Sequence, residues 1–259
     1  MIGCIIGDVV GSVYEFNGTK SQDFEFFHPD GDYTDDSVLT IATARAILDG
    51  KPYEQMYKEF GLKYPLPMGN YGSGFRKWLY ASDMKPYQSF GNGSAMRVGP
   101  IGYAFNDEAT VLAEAQKSAE VTHNHPEGIK GAQATALAIL MARKGSTKEE
   151  IRKAVQEKFE YNMNRTCVDI RPTYSFDVTC QGTVPEAIIA FLDSTSFEDA
   201  IRKAVSLGGD ADTLACITGG IAQAFYKYIP AGIVEVGLST LTEDLMKTVK
   251  EFNAKFGLY

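Results

Sequence analysis

Thr34-Asp35-Asp36-Ser37-Val38-Leu39-Thr40-Ile41-Ala42-Thr43-Ala44-Arg45-Ala46-Ile47-Leu48-Asp49-Gly50 reads as one helix with its own start and stop. Thr and Asp are favoured before a helix because their short side chains accept from the free N–H groups of the first turn. Residues 36–49 then follow a helical pattern, and Gly50 ends it. The same start sets two carboxylates beside a hydroxyl. It caps a helix, presents ligands, or does both, since the two readings are compatible.

Working outward, the helical period returns at 107–121 and in an Ala-rich stretch that begins near Pro126 and stops at Gly145. Thr147-Lys148-Glu149-Glu150 has the form of a capping box. Residues 185–193, 197–207, 212–228 and 241–255 repeat the pattern. Strands of period two are scarce. The stretch 166–180 is rich in β-branched and aromatic residues but lacks alternation, so it is expected to be irregular. The expected fold is all-α, a single multi-helix domain over 1–259 with functional loops between its helices. The loops expected at 17–33, 61–74 and 82–100 are Gly- and aromatic-rich, and loops of that length are often functional.

With 259 residues the chain can bury a sizeable core. Its 25 Lys and Arg stand against 33 Asp and Glu, for a net charge of −8. That balance argues against a large nucleic-acid-binding surface and against an acidic membrane surface. Cys4, Cys167, Cys180 and Cys216 form no CxxC pair and have no histidine at zinc spacing. Asp8 interrupts the apolar start, no basic segment precedes it, and no apolar run is long enough to span a bilayer. A cytoplasmic protein with reduced thiols is expected.

A second acidic cluster, Asp210-Ala211-Asp212-Thr213, matches the first. Together they offer four carboxylates and two hydroxyls, an all-oxygen set suited to Mg²⁺ or Mn²⁺ and large enough for two ions. Gly3, Gly7 and Gly11 make a stripe along one helix face. Each glycine costs about 1 kcal/mol in a helix relative to alanine, so the stripe needs a packing reason. If that helix continues, Asp8 and Glu15 share a face two turns apart, pointing to a site or to solvent. Phe90-Gly91-Asn92-Gly93-Ser94-Ala95-Met96-Arg97 is a glycine-rich turn ending in a cation. It is an ordinary turn or a cradle that aims backbone N–H groups at a phosphate. Thr122-His123-Asn124-His125-Pro126 sets two histidines before a helix. A capping or ligand-contacting role suits His123 better than metal binding, and His125 is structural or functional with equal weight.

Five segments fall in one order: Gly7-Asp8-Val9-Val10-Gly11-Ser12-Val13-Tyr14-Glu15, Tyr33-Thr34-Asp35-Asp36-Ser37, Gly91 to Arg97, Thr122-His123, and Gly208-Gly209-Asp210-Ala211-Asp212-Thr213. The ordered set resembles the ADP-ribosylglycohydrolase family, from about residue 2 to about residue 230. The resemblance implies an all-helical fold with two Mg²⁺ or Mn²⁺ ions on Thr34, Asp35, Asp36, Asp210, Asp212 and Thr213. It implies Glu15 as the catalytic acid, with Asp36 a weaker candidate. Ser89, Phe90, Gly91, Asn92, Gly93, Ser94, Met96 and Arg97 would hold the diphosphate and stack on adenine, with Phe90 as the stacking ring. His123 would touch the ligand near the phosphates, and Gly72 would line the distal ribose.

The implied activity is hydrolysis of the N- or O-glycosidic bond between ADP-ribose and a protein side chain or other acceptor. It would pass through an oxocarbenium-like state. A silent ADP-ribose-type binding protein and a two-metal phosphoester or diphosphate hydrolase are the alternatives. The intact acidic set with Glu15 argues against the first.

Overall fold

The computed structural model describes residues 1–258. In chain order the helices are α1 (Ile2–Gly11), α2 (Asp35–Asp49), α3 (Tyr53–Lys63), α4 (Ser73–Tyr80), α5 (Gly93–Met96), α6 (Gly99–Ala104), α7 (Glu108–Glu120) and α8 (Pro126–Lys144). They continue with α9 (Lys148–Phe159), α10 (Cys167–Ile170), α11 (Cys180–Asp193), α12 (Phe197–Val205), α13 (Ala211–Tyr226), α14 (Ala231–Leu238) and α15 (Glu243–Phe256). Among the described residues there is no β-strand. Two isolated bridges, Thr34 with Met68 and Gly91 with Thr179, fasten loops together.

The all-α expectation holds, and the helix ends follow from local chemistry. Thr34 accepts from the Asp36 N–H, and Gly50 closes α2 in the left-handed conformation. Thr147 and Glu150 form the expected capping box of α9. The helices α4, α5, α6, α10 and α14 span about two turns or fewer, too short to reveal a period, whereas α3, a helix beyond those expected, does carry one in Tyr53, Met56, Tyr57 and Phe60. Two of the stretches expected to be loops are therefore shorter: α4 begins at the end of 61–74, and α5 lies inside 82–100. Helix α11 starts at Cys180, ahead of the expected 185, because Thr179 caps it by accepting from Gly182 N–H. Pro185 then lies in its second turn, where it removes a single hydrogen bond.

The buried apolar side chains form one continuous cluster, with α13 at its centre. Every residue of α13 from Ala211 to Ala224 is buried. Helix α1 lies directly on it, and this explains the glycine stripe. A Cβ at Gly3, Gly7 or Gly11 would collide with the carbonyl of Gly219, Ala215 or Ala211. Those carbonyls repeat every four residues along α13 as the glycines do along α1, so two backbones meet without intervening side chains. Gly7→Ala is expected to destabilise the fold by about 3 kcal/mol, the upper range for overpacking a filled interior. Gly232→Ala, where a Cβ meets nothing within 4 Å, is expected to cost nothing. Urea unfolding followed by circular dichroism compares the two, and equal midpoints would refute the backbone contact.

Candidate active site

This contact decides where the carboxylates fall. Asp8 projects from α1 and is fully buried. It accepts from Thr34 N–H (3.0 Å), the Thr34 hydroxyl (2.6 Å) and Ser37 N–H (3.0 Å). Asp8 thereby ties α1 to the first turn of α2, whose free N–H groups and dipole favour a negative charge. The same turn presents Asp35 and Asp36. Across from it the first turn of α13 presents Asp212 and Thr213, with Asp210 as the residue before the helix. Thr213 donates its hydroxyl to Asp36 Oδ2 at 3.4 Å, so the two helix starts meet.

Glu15 arrives differently from the expectation of one continuous helix. Helix α1 ends at Gly11, and a 3-10 turn over Ser12–Tyr14 carries the chain to Glu15. The carboxylate rests against Gly69, a residue with φ +75° whose missing side chain leaves it room. Two triads of oxygen atoms result, Asp8 with Asp36 and Asp212, and Glu15 with Asp210 and Asp212, each within 4.8 Å of one another. Asp212 belongs to both.

The charges of this cluster are unbalanced. Burial pushes the Asp8 carboxyl up to about 6. Burial, then the charges of Asp210 and Asp8, push Glu15 up to about 7. Burial and neighbouring carboxylates raise Asp35, Asp36 and Asp212 well above the ordinary range. Asp36 Oδ1 is buried without a hydrogen-bond partner. A buried, unpaired carboxylate oxygen facing other carboxylates is costly unless a cation joins it. The donor set is all oxygen, so these residues fit hard divalent cations such as Mg²⁺ or Mn²⁺.

A pH dependence follows for the metal-free protein. A carboxyl raised in the folded state binds its proton more tightly than in the unfolded chain. Its contribution is complete below the unfolded value and is lost as pH rises through the folded one. For Asp8 the displacement corresponds to on the order of 3 kcal/mol. The metal-free Tm is therefore expected to fall by roughly 5–10 °C between pH 4 and pH 7. Added Mg²⁺ should raise Tm more at pH 8 than at pH 5. Scanning calorimetry checks both, and a flat metal-free Tm would remove the case for a repulsive cluster.

The glycine-rich turn forms the next wall. Asn92 N–H donates to Val178 O (2.8 Å), and Cys180 N–H donates to Phe90 O (2.9 Å), which pins the turn to the segment before α11. The Asn92 amide donates to Asp210 Oδ2 (2.7 Å) and Thr183 Oγ1 (3.0 Å). Asn92 thus couples the turn to the acidic cluster, a link that sequence spacing does not reveal. Arg97 is fully buried. It donates to Ser118 O (2.8 Å) and Thr122 Oγ1 (2.9 Å), and its guanidinium lies 4.2 Å from the Tyr57 ring centre. His123 is 5% exposed. Burial and the nearby Arg97 charge pull it well below its ordinary range, so its ring is neutral. His125 caps α8 by accepting from Glu127 N–H at 3.1 Å, which makes it the structural histidine.

These walls enclose a cavity of about 440 Å³. Of the residues singled out from sequence, Glu15, Asp35, Asp36, Gly72, Ser89, Gly91, Asn92, Gly93, Met96, Arg97, His123, Asp210, Asp212 and Thr213 line it. Three do not. Thr34 lies beneath the floor, its hydroxyl donated to Asp8. Ser94 is buried with its hydroxyl on Gly128 O (2.7 Å). Phe90, expected to be the stacking ring, lies outside the wall, 44% exposed, with its ring 5.3 Å from that of His125. The apolar faces of the cavity are instead Tyr87, Tyr71, Phe75, Leu39, Phe16 and Val178. The aromatic content of 61–74 was the signal for Tyr71, and Tyr87 lay in the third loop, but no spacing distinguished them from other rings.

Comparison with known proteins agrees with this geometry. The family model for ADP-ribosylglycohydrolases matches residues 1–256. The chain is 27% identical to ADP-ribosylhydrolase ARH3 of Mus musculus over 304 residues, covering 87% of this chain and 82% of that protein. It is 25% identical to the ADP-ribosyl-[dinitrogen reductase] glycohydrolase of Rhodospirillum rubrum, covering 89% and 86%. A solved structure described as an ADP-ribosylglycohydrolase-related protein complex superposes with a TM-score of 0.74, at 22% identity, over 99% of this chain and 96% of that one. Among the described residues, no helix is long and apolar enough to cross a membrane.

Proposed function

The chain belongs to the ADP-ribosylglycohydrolase family, and from that premise we propose that it is a divalent-cation-dependent hydrolase that releases ADP-ribose from a modified protein side chain or small molecule. The observation that carries this reading is the convergence, on one cavity, of five carboxylates (Glu15, Asp35, Asp36, Asp210 and Asp212) and the glycine-rich turn backed by His123. One end of the cavity suits cations and sugar hydroxyls, and the other suits phosphate oxygens.

Asp35, Asp36, Asp210, Asp212 and Thr213, which line the cavity, are the residues that would hold two Mg²⁺ or Mn²⁺ ions, and Thr34, fixed beneath them by Asp8, would complete the set with its hydroxyl lone pairs. Bound there, such ions supply Lewis-acid polarisation of sugar and water oxygens. The rest of the chemistry falls to the protein. The backbone N–H of Gly93 and the His123 ring orient the diphosphate, while the Gly91 N–H donates to the Ser89 hydroxyl at 3.1 Å and so shapes the turn. Arg97, at the back of that wall, adds positive potential. The acidic floor stabilises the positive charge that develops on the ribose during cleavage. Glu15, with its carboxyl near 7, is able to give a proton to the leaving atom or take one from the attacking water. Asp36 is the weaker candidate for that task.

The test is to incubate the protein with Mg²⁺ and ADP-ribosylated arginine, serine, acetyl-ester and DNA substrates, and to identify products by mass. Free ADP-ribose is expected from at least one of them. AMP with ribose phosphate would instead indicate diphosphate cleavage, and binding without product would indicate a silent relative.

A further inference from the structure

Behind the glycine turn, buried side chains form a chain of hydrogen bonds that ends at the cavity wall. Arg97 Nη2 donates to Thr122 Oγ1 at 2.9 Å, and that oxygen lies 2.7 Å from His123 Nδ1. We infer that Thr122, polarised by Arg97, is a positioning residue that holds the His123 ring with its proton on Nε2 and so presents an N–H donor to the phosphate oxygens of a ligand seated on Gly91–Gly93.

The inventory of protons in this chain fixes the direction of each bond. A guanidinium only donates, so the Thr122 oxygen must accept from it. The cation draws electron density from that oxygen. Its O–H becomes the stronger donor, and its remaining lone pair the poorer acceptor. The bond of 2.7 Å therefore runs from the Thr122 hydroxyl to His123 Nδ1. In a neutral ring whose Nδ1 accepts, the proton sits on Nε2. Arg97 cannot easily turn away, because it is fully buried, stacked on Tyr57 and held also by Ser118 O.

Nε2 then faces the turn. A Cβ at Gly93 would lie 3.2 Å from it and one at Gly91 3.5 Å, so the two glycines leave the space in front of it open. The opposite tautomer would aim a lone pair at an anionic ligand and a second proton at an oxygen already bonded to Arg97. The nature of the ligand rests on the function proposed above; the tautomer does not.

The experiment uses the full-length protein with ¹⁵N-labelled histidine, in the wild type and in Thr122→Val and Thr122→Ser, with His123→Gln assigning the resonance. Long-range ¹H–¹⁵N correlation is expected to show His123 as Nε2–H in the wild type and in Thr122→Ser. Thr122→Val, which keeps the shape and loses the hydroxyl, is expected to show mixed or Nδ1–H signals. Calorimetry on the same samples is expected to give an ADP-ribose Kd about tenfold weaker for Thr122→Val, the scale of one charge-assisted hydrogen bond, and near wild type for Thr122→Ser. A wild-type Nδ1–H ring, or an unchanged tautomer in Thr122→Val, overturns the inference. So does a shifted tautomer with unchanged affinity. A wild type that shows the Nε2–H ring but binds no ADP-ribose refutes the functional reading instead.

Discussion

Chelation with EDTA is expected to abolish release of ADP-ribose, and Mg²⁺ to restore it. Asp212→Asn is expected to cut turnover by about 10³-fold, the rate equivalent of several kcal/mol of lost charge stabilisation. Asp212 is the sharpest position for this test because it is common to both carboxylate triads. The change to Asn keeps an acceptor for the Thr213 N–H, which Asp212 Oδ1 now binds at 2.9 Å. It removes one charge from a cluster in which burial and neighbouring carboxylates hold Asp212 far above its ordinary range. The metal-free variant should therefore be as stable as the wild type or more so, while its Tm gain from Mg²⁺ shrinks. Full activity in metal-free buffer would overturn the cation assignment. A variant that loses stability and activity together would mark Asp212 as a structural residue.

Glu15→Gln is expected to lower kcat by about 10²-fold or more, the scale of a lost general acid or base, while the affinity for free ADP-ribose stays within several-fold. The side chain reaches its place by a 3-10 turn and rests in the space left by Gly69. Gln fits the same space and keeps a hydrogen-bonding end, so the change isolates the titrating proton. Calorimetry with ADP-ribose and a turnover assay on the best substrate read the two halves separately. Normal turnover would move the acid–base role to Asp8, Asp35 or Asp36. A collapse of ADP-ribose binding with cations still held would make Glu15 a residue that positions the ligand.

Much of this was legible before any coordinates. Long helices such as α2, α8 and α13 carry enough apolar turns to announce their period, and their caps are written in Thr34, Pro126 and Gly145. The two acidic clusters were legible because hydroxyl and carboxylate types recur together at helix starts. Adjacency to a glycine turn does not fix which way a ring points, and Phe90 is half-exposed with its ring beside that of His125. Asn92 read as a ligand contact, and nothing in its neighbours revealed that its amide spans to Asp210, 118 positions away. The aromatic cavity wall was obscure for the same reason. It is assembled from short helices and loops whose contacts are tertiary, and tertiary contacts leave no local period.

The glycine seam between α1 and α13 also has a consequence for biosynthesis. Gly3 N–H donates to the Gln223 side chain at 2.7 Å, across 220 positions of chain. A ribosome adding about 5–20 residues per second needs on the order of tens of seconds to supply that partner. During that interval the apolar surface of Ile2, Ile5, Ile6, Val9 and Val10, all buried in the finished molecule, has no place to dock. Asp8, Glu15, Asp35 and Asp36 leave the ribosome early, and Asp210 and Asp212 follow only with the start of α13, so the nascent chain has no complete cation site until synthesis is nearly over. Chains released before Ala211 are thus expected to be captured by chaperones or degraded.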